Sequence, residues 1–365
     1  MAGIYLHVPF CRSKCAYCDF YSVARPELAG AYAAAVGREF AARRGELGCA
    51  PVTTLYFGGG TPSQLPPDIF CDLASLLHTP EVEEFTAEAN PDDITPELLG
   101  RWVDAGVNRV SLGVQSLQDA ELRAINRRHD AAGALKAIDT IHRAGITDVS
   151  ADLIYGLPGQ TRDSFADSLR RLVDSGITHL SAYCLSYEEG TLLWRRREQG
   201  LVDEMSDDDI ADIYGDLCRV ASEAGFEHYE ISNFALPGRR ARHNSAYWRG
   251  VPYLGLGPGA HSLDVDGLRR YNRSDLRAYI SAPASVLTPD PVDREEHVNE
   301  LILTALRTAE GVSLADIPAP YRAEVLAAAD AHLRRGTLTR SADDRLVIPE
   351  ARWLLSDAII RDLLI

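Results

Sequence analysis

No stretch of the 365-residue sequence approaches eighteen uninterrupted apolar residues, so a membrane-spanning helix is not expected. Positive charge is scarce: 37 Lys and Arg stand against 53 Asp and Glu, a net −16, and a polyanion would have to approach against the mean field of the protein. Nucleic acid is therefore not an expected partner. The segment Met1 to Phe10 has neither the basic stretch nor the apolar run of a signal peptide, and no lipoprotein-type small-residue pattern precedes Cys11, so the expected location is cytoplasmic. Low-complexity sequence is absent, and 46% hydrophobic with 25% charged residues excludes a disordered or collagenous chain. Cysteine is also sparse. There are seven, an odd number, with three inside eight positions, which argues against a disulfide framework and for a ligand cluster.

What the sequence does contain is an alternation of short β-branched or aromatic runs with longer segments of helical periodicity, the pattern of repeated βα units around a parallel sheet. Six strands are predicted at Ile4–Val8, Thr54–Phe57, Phe85–Ala89, Val110–Val114, Val149–Ile154 and His179–Leu185. Right-handed crossovers would curl them into a full or partial barrel. Ser206 followed by Asp207, Asp208 and Asp209 predicts a capped helix whose apolar face, including Cys218, runs to Gly225. From Phe226 to His261 aromatics, Gly and Pro crowd together, which reads as loops and short strands. Pro283, Pro289 and Pro291 mark a boundary before helical periodicity resumes. The expected division is therefore 1–225 for the barrel, 226–288 for an aromatic and Gly-rich extension, and 289–365 for a small, mainly helical and winged-helix-like domain.

Cys11, Cys15 and Cys18 form C-x3-C-x2-C directly after the first strand. Three thiolates cover three irons of a cubane cluster and leave the fourth iron open to an external chelator. Tetrahedral zinc with His7 as fourth ligand is the alternative, weakened by the absence of a second Cys/His knuckle. Cys49, Cys71, Cys184 and Cys218 read as buried or half-buried thiols. Gly58-Gly59-Gly60-Thr61-Pro62 closes the second strand, either as a tight turn or as a place where backbone comes close to a ligand. Glu88, Gln115 and Asp152 fall near the C-terminal ends of predicted strands, which converge on one mouth in a barrel.

With these residues in view, the chain resembles the radical S-adenosylmethionine (SAM) family, in which this cysteine motif follows the first strand of a partial (β/α)6 barrel. Tyr5-Leu6-His7-Val8-Pro9-Phe10-Cys11 and Tyr17-Cys18-Asp19-Phe20 resemble the branch that holds the oxygen-independent coproporphyrinogen dehydrogenases and the HemW haem chaperones. The resemblance implies a 4Fe-4S cluster on Cys11, Cys15 and Cys18. It implies cluster-bound SAM against Tyr5, Tyr17, Gly59, Gly60, Thr61 and Glu88, with Gln115, Arg127 and Asp152 on a second SAM-sized or substrate side. Two departures separate this chain from the dehydrogenases: Phe20 stands where they carry a further cysteine, and only ten residues precede Cys11. His243-Asn244-x-x-Tyr247-Trp248, in contrast, resembles the H-N-x-x-Y-W signature of the chaperones, which implies haem held by His243 with Asn244, Tyr247 and Trp248 beside it. His261, His7 and His228 are the other candidate ligands. The implied function is haem binding and delivery to haem-requiring acceptors, respiratory proteins among them, with a dimer and peripheral membrane contact compatible with that role. The competing implication is radical conversion of coproporphyrinogen to protoporphyrinogen. Arg195-Arg196-Arg197 is the one basic run, read as a solvated helix face or a contact patch.

Overall fold

Along each of the first six strands one parity of side chains is apolar and the other polar, and this double reading dictates the architecture. In the computed structural model, which describes residues 1–365, these strands are β1 (Ala2–Val8), β2 (Val52–Gly59), β3 (Glu84–Ala89), β4 (Arg109–Gln115), β5 (Asp148–Tyr155) and β6 (His179–Cys184). They lie side by side in sequence order, all parallel. Ile4, Leu6, Leu55, Phe57, Phe85, Val110, Leu112, Val149 and Leu153 face outwards and are buried beneath the connecting helices in one apolar cluster. Phe57, Phe70, Phe85 and Trp102 pack ring against ring there, with centroids 5.0 Å apart for three of the pairs. Each such ring contributes roughly 2–3 kcal/mol by leaving water. The opposite parity is registered across the sheet as tiers, Gly3 beside Thr54 beside Glu84, then Tyr5 beside Tyr56 beside Thr86, and it faces a polar lumen.

The crossover helices start where capping chemistry allows it. Thr95 accepts from the Leu98 amide, Asp130 from that of Gly133 and Ser206 from that of Asp209, while Thr161 and Ser164 form a reciprocal capping box. The helix predicted after Ser206 runs over Asp207–Glu223.

The sheet continues past both edges of the six-stranded unit. β8 (Asn233–Ala235) adds antiparallel to β6 and β7 (Glu227–Glu230) antiparallel to β8, whereas β9 (Tyr253–Leu256) adds parallel to β1 and leads into antiparallel β10 (His261–Leu263), β11 (Arg269–Asn272) and β12 (Leu287–Pro289). All twelve strands form one open sheet, so the barrel is partial. Gly257, at φ +93°, is needed for this closure, because a Cβ there would lie 2.5 Å from the His7 carbonyl oxygen. Beyond Pro291 come the helices Arg294–Ala305 and Ala319–Arg335 and a small antiparallel sheet of Val312–Ser313, Thr339–Arg340 and Arg345–Val347. Val298, Ile302, Trp353 and Ile360 belong to the same apolar cluster as the barrel, so this part is packed onto it. No helix is long and apolar enough to cross a membrane.

The four remaining cysteines divide differently from expectation. Cys71 and Cys218 are half-buried, but Cys49 and Cys184 are exposed. Cys49 sits in a turn after Gly48 and Cys184 ends β6, where the sheet no longer has a helix over it. Arg195, Arg196 and Arg197 lie on the helix Leu192–Glu198, where Arg195 donates to the Gly190 carbonyl, Arg196 to that of Ala124, and Arg197 pairs with Glu198 and Glu204.

Candidate functional site at the barrel mouth

The chain leaves β1 at Pro9 and returns at Val23, and backbone bonds from Cys11 to Val23 and from Val23 to Pro9 clamp the stem of the intervening loop. All three cysteines are partly exposed on this loop. The Cys11 Sγ lies 3.1 Å from the Thr61 hydroxyl, and the Arg127 guanidinium donates to the Cys15 Sγ at 3.3 Å. Burial pushes the Cys18 thiol up to about 11, with Cys15 and Cys11 adding to the shift, so positive charge must enter before the three become thiolates together.

Gly60 explains how the loop reaches the second strand. A Cβ on it would stand 2.6 Å from the Val8 carbonyl oxygen and 3.0 Å from the Phe10 amide, so the base of the cysteine loop rests directly on this glycine. Gly59, at φ +98°, turns its amide onto Glu88 at 3.1 Å. The other Glu88 oxygen accepts from the Tyr56 hydroxyl at 2.7 Å. Burial pushes Glu88 up to about 7 against the opposing Tyr56 bond, and Asp152 up to about 6 against the Ser181 bond and the charges of Arg109 and Arg127. Two carboxyls held this way gain from a cationic ligand, which would restore both to the charged form.

β4 ends in an irregular register between Leu112 and Gln115, and Gln115 adopts φ +69°. This re-aims Gln115 so that its amide and the Arg127 guanidinium both pass over Gly113, each 3.0 Å from where a Cβ would be. Arg127 donates to the Gly113 carbonyl, and its Nε is buried without a partner. Burial raises the Tyr17 hydroxyl well above its usual value, and Arg127, Cys15, Cys18 and Asp152 are close enough to act on it. Thus Cys11, Cys15, Cys18, Tyr17, Gly59, Gly60, Thr61, Glu88, Gln115, Arg127 and Asp152 share one mouth. Tyr5 lies a tier below, its hydroxyl 3.4 Å from His7 Nδ1. His7 lies on β1 with its Nε2 3.0 Å from the Tyr21 carbonyl, where it positions the returning loop.

The H-N-x-x-Y-W residues are elsewhere. They form a helix, Arg242–Trp248, rather than a loop, and it closes the opposite end of the lumen. The amides of Arg242 and His243 donate to the two oxygens of Glu84, at the start of β3. The His243 ring is 1% exposed, with Nδ1 2.8 Å from the Thr54 hydroxyl and Nε2 2.7 Å from that of Tyr247, and it stacks on Tyr56 at 5.1 Å. Burial lowers it to about 3. In this conformation both ring nitrogens are engaged and neither faces a ligand. Asn244, Tyr247 and Trp248 are half-buried, with the Tyr247 hydroxyl turned onto His243.

Beside them at this closed end are groups that sequence reading missed. Arg109 is 2% exposed between Glu84 and Asp148, and His179, fully buried, bonds Ser150 at 2.7 Å and Tyr229 at 2.7 Å. The signal for them was the polar parity of the strands.

Comparison with known proteins agrees with this layout. Residues 5–172 match the family model described as the Radical SAM superfamily. The solved structure of coproporphyrinogen III oxidase (HemN) from Escherichia coli superposes with a TM-score of 0.85 at 22% identity, covering 100% of this chain and 90% of that one, which establishes a shared fold. A mitochondrial radical S-adenosyl methionine domain-containing protein 1 from Bos taurus is 37% identical over 86% of this chain and 74% of its own length. Proteins named haem chaperone HemW are 32% identical in Bacillus subtilis, over 86% of this chain and 85% of that protein, and 36% identical in Mycobacterium tuberculosis, over 99% of this chain and 94% of that protein. At that identity and over that length, the chain belongs to the HemW family of radical SAM proteins.

Proposed function

We propose that this protein is a haem chaperone of the HemW type: it binds haem and passes it to haem-requiring proteins in the cytoplasm, with a 4Fe-4S cluster and SAM at the barrel mouth. The observation that carries the reading is that the likeness to proteins named haem chaperones runs over 99% of the chain, the helix Arg242–Trp248 included, and not over the barrel alone.

The donor set at the mouth fits the cluster. Three partly exposed thiols on one clamped loop, with His7 engaged elsewhere, supply three ligands and leave one corner for an exogenous chelator. Cys11, Cys15 and Cys18 hold the metal, and Arg127 beside Cys15 offsets thiolate charge. Glu88 and the Gly59 and Gly60 backbone meet the amino-acid part of SAM, with Tyr17 and Thr61 at its sides, Tyr5 below, and Gln115 and Asp152 across the mouth. When bound, this pair of groups supplies one-electron chemistry at the sulfonium. The protein excludes water from beneath it, because the lumen is closed at the far end.

Haem meets the outer side of the helix Arg242–Trp248, where the half-buried rings of Tyr247 and Trp248 can cover a flat macrocycle. His243 would hold its iron only after giving up Thr54 or Tyr247, each bond worth about 1–3 kcal/mol when a buried partner is stranded. Haem uptake on His243 is therefore coupled to opening the closed end.

An anaerobic haem titration of the reconstituted protein, of His243→Ala and of Trp248→Ala, with a coproporphyrinogen turnover assay on the same samples, tests the reading. Stoichiometric haem binding weakened by the substitutions, without turnover, is the expected result. Steady protoporphyrinogen formation with only nonspecific haem uptake would replace the carrier by an oxidase.

A further inference from the structure

Far from the cysteine loop, three potential metal ligands converge where the C-terminal part meets the barrel. Cys218 comes from the helix Asp207–Glu223, His228 from β7 and Glu350 from the turn that follows the strand Arg345–Val347. The His228 Nδ1 lies 3.0 Å from the Glu350 Oε1 and 3.9 Å from the Cys218 Sγ, and all three donor atoms fall within 4.8 Å of one another. Around a tetrahedral zinc ion, donor pairs stand about 3.3 Å apart for nitrogen with oxygen and about 3.5 Å for nitrogen with sulfur. The observed triangle needs little change to reach that.

The imidazole is held in place for the role. Its ring stacks on Phe234 at 3.9 Å and meets the edge of Trp353 at 4.2 Å, and its side chain is only 4% exposed. Its Nε2 faces the Ile231 carbonyl at 3.4 Å. With the ring hydrogen on Nε2, facing that carbonyl, the Nδ1 lone pair points at the carboxylate and the thiol, the arrangement a metal ion would select. In the metal-free protein the Cys218 thiol keeps its own proton, and a cation that displaced it would be shared by all three donor atoms. An imidazole whose second nitrogen donates to a backbone carbonyl is also the usual arrangement of a metal-bound histidine. The Tyr214 hydroxyl is buried beside the same thiol.

We propose that Cys218, His228 and Glu350 bind a zinc ion, with the fourth position taken by water or by the Tyr214 hydroxyl. Mixed sulfur, nitrogen and oxygen donors at these separations suit zinc rather than a hard cation such as magnesium or calcium. Binding releases the Cys218 proton. The ion fastens Glu350 to a histidine 122 residues earlier, and so ties the C-terminal part to the edge of the barrel sheet.

The test is zinc and iron analysis of the reconstituted protein after equilibration with zinc sulfate and desalting. The expected result is about one zinc per chain beside the cluster iron. Cys218→Ser and Glu350→Gln should each weaken zinc at least tenfold and leave iron unchanged. Cys11→Ala/Cys15→Ala/Cys18→Ala should lose iron and keep the zinc, which separates this site from the cysteine loop. Glu350 is 57% exposed, so its variant remains a test even where Cys218→Ser fails to fold. Absence of stoichiometric zinc in the wild type, zinc retained in full by Glu350→Gln, or zinc lost only with the loop cysteines would each overturn the proposal.

Discussion

Replacing His243 by alanine strikes a group that the structure uses twice over. The change strands the Thr54 hydroxyl, whose residue is 5% exposed, and the Tyr247 hydroxyl, and removes a ring stacked on Tyr56 at 5.1 Å. Stranding a buried polar group costs about 1–3 kcal/mol, and the void left by the ring adds to it, so the total is about 3–5 kcal/mol. For a chain of this length unfolding as one unit, that lowers the melting temperature by roughly 4–6 °C. Thermal melts of the apoprotein read this directly. Thr54→Val is the companion, similar in volume, removing one of the two bonds and no candidate ligand. If His243 also ligates haem, Thr54→Val frees Nδ1 and should tighten haem, whereas His243→Ala should lose the axial-ligand signature in the Soret region. An unchanged melting temperature in His243→Ala would refute the buried placement, and haem spectra identical to wild type would refute the ligation.

The same histidine sets a pH dependence: its folded pKa of about 3 lies below its ordinary 6.5, so its stabilisation is present above pH 6.5 and lost as pH falls towards 3. The loss is at most about 1.4 kcal/mol per pH unit, and urea midpoints at pH 7 and pH 5 should show it, with His129, lowered to about 4, acting in the same direction. Substituting all three loop cysteines by alanine should abolish iron–sulfur absorbance while the far-ultraviolet circular dichroism of the apoprotein stays as in wild type, because the thiols are partly exposed and outside the core. Gly60→Ala should lower reconstituted iron content by forcing the loop stem away from a Cβ that would sit 2.6 Å from Val8 O, whereas Gly100→Ala, with open space at its Cβ, should reconstitute normally.

The six strands were legible because their outward parity is apolar and the helices between them carry recognisable caps. Their first residues were not. Glu84, Arg109 and Asp148 begin β3, β4 and β5 but fall one residue before the predicted strands, since a polar group at a strand start gives no local sign that it faces a lumen. The Phe226 to His261 region read only as loops and short strands, without their pairing, for a similar reason. Gly257 serves close approach to β1, with a Cβ there standing 2.5 Å from the His7 carbonyl oxygen, and a pairing partner about 250 residues away leaves no trace in local composition. Cysteine spacing needs no such context, and the cluster loop lies where the motif implied. The chaperone signature did not reveal its own geometry: the sequence contains the residues, but which end of the barrel they occupy follows from Glu84, whose two oxygens receive the first amides of their helix.

A polar lumen is costly unless each group within it is paired, and the two ends of this barrel meet that demand differently. At the closed end the pairing is mostly internal: both nitrogens of His243 and of His179 are bonded and Glu84 accepts from two amides, while the Arg109 Nε, without a hydrogen-bond partner, lies between the carboxylates of Glu84 and Asp148. At the mouth it is incomplete. Tyr5, Glu88, Asp152 and Arg127 keep partial exposure, Arg127 Nε has no partner, and two carboxyls are held up near neutrality by burial. Tyr56 spans the two conditions, donating to Glu88 above and stacking on His243 below. An end whose polar groups are satisfied by the chain itself serves as a wall, and an end that leaves cationic and anionic groups short of partners is completed by a ligand bearing both charges. On that physical ground the ligand chemistry belongs to the cysteine mouth, and the His243 ring can take another partner only by giving up one of its two bonds.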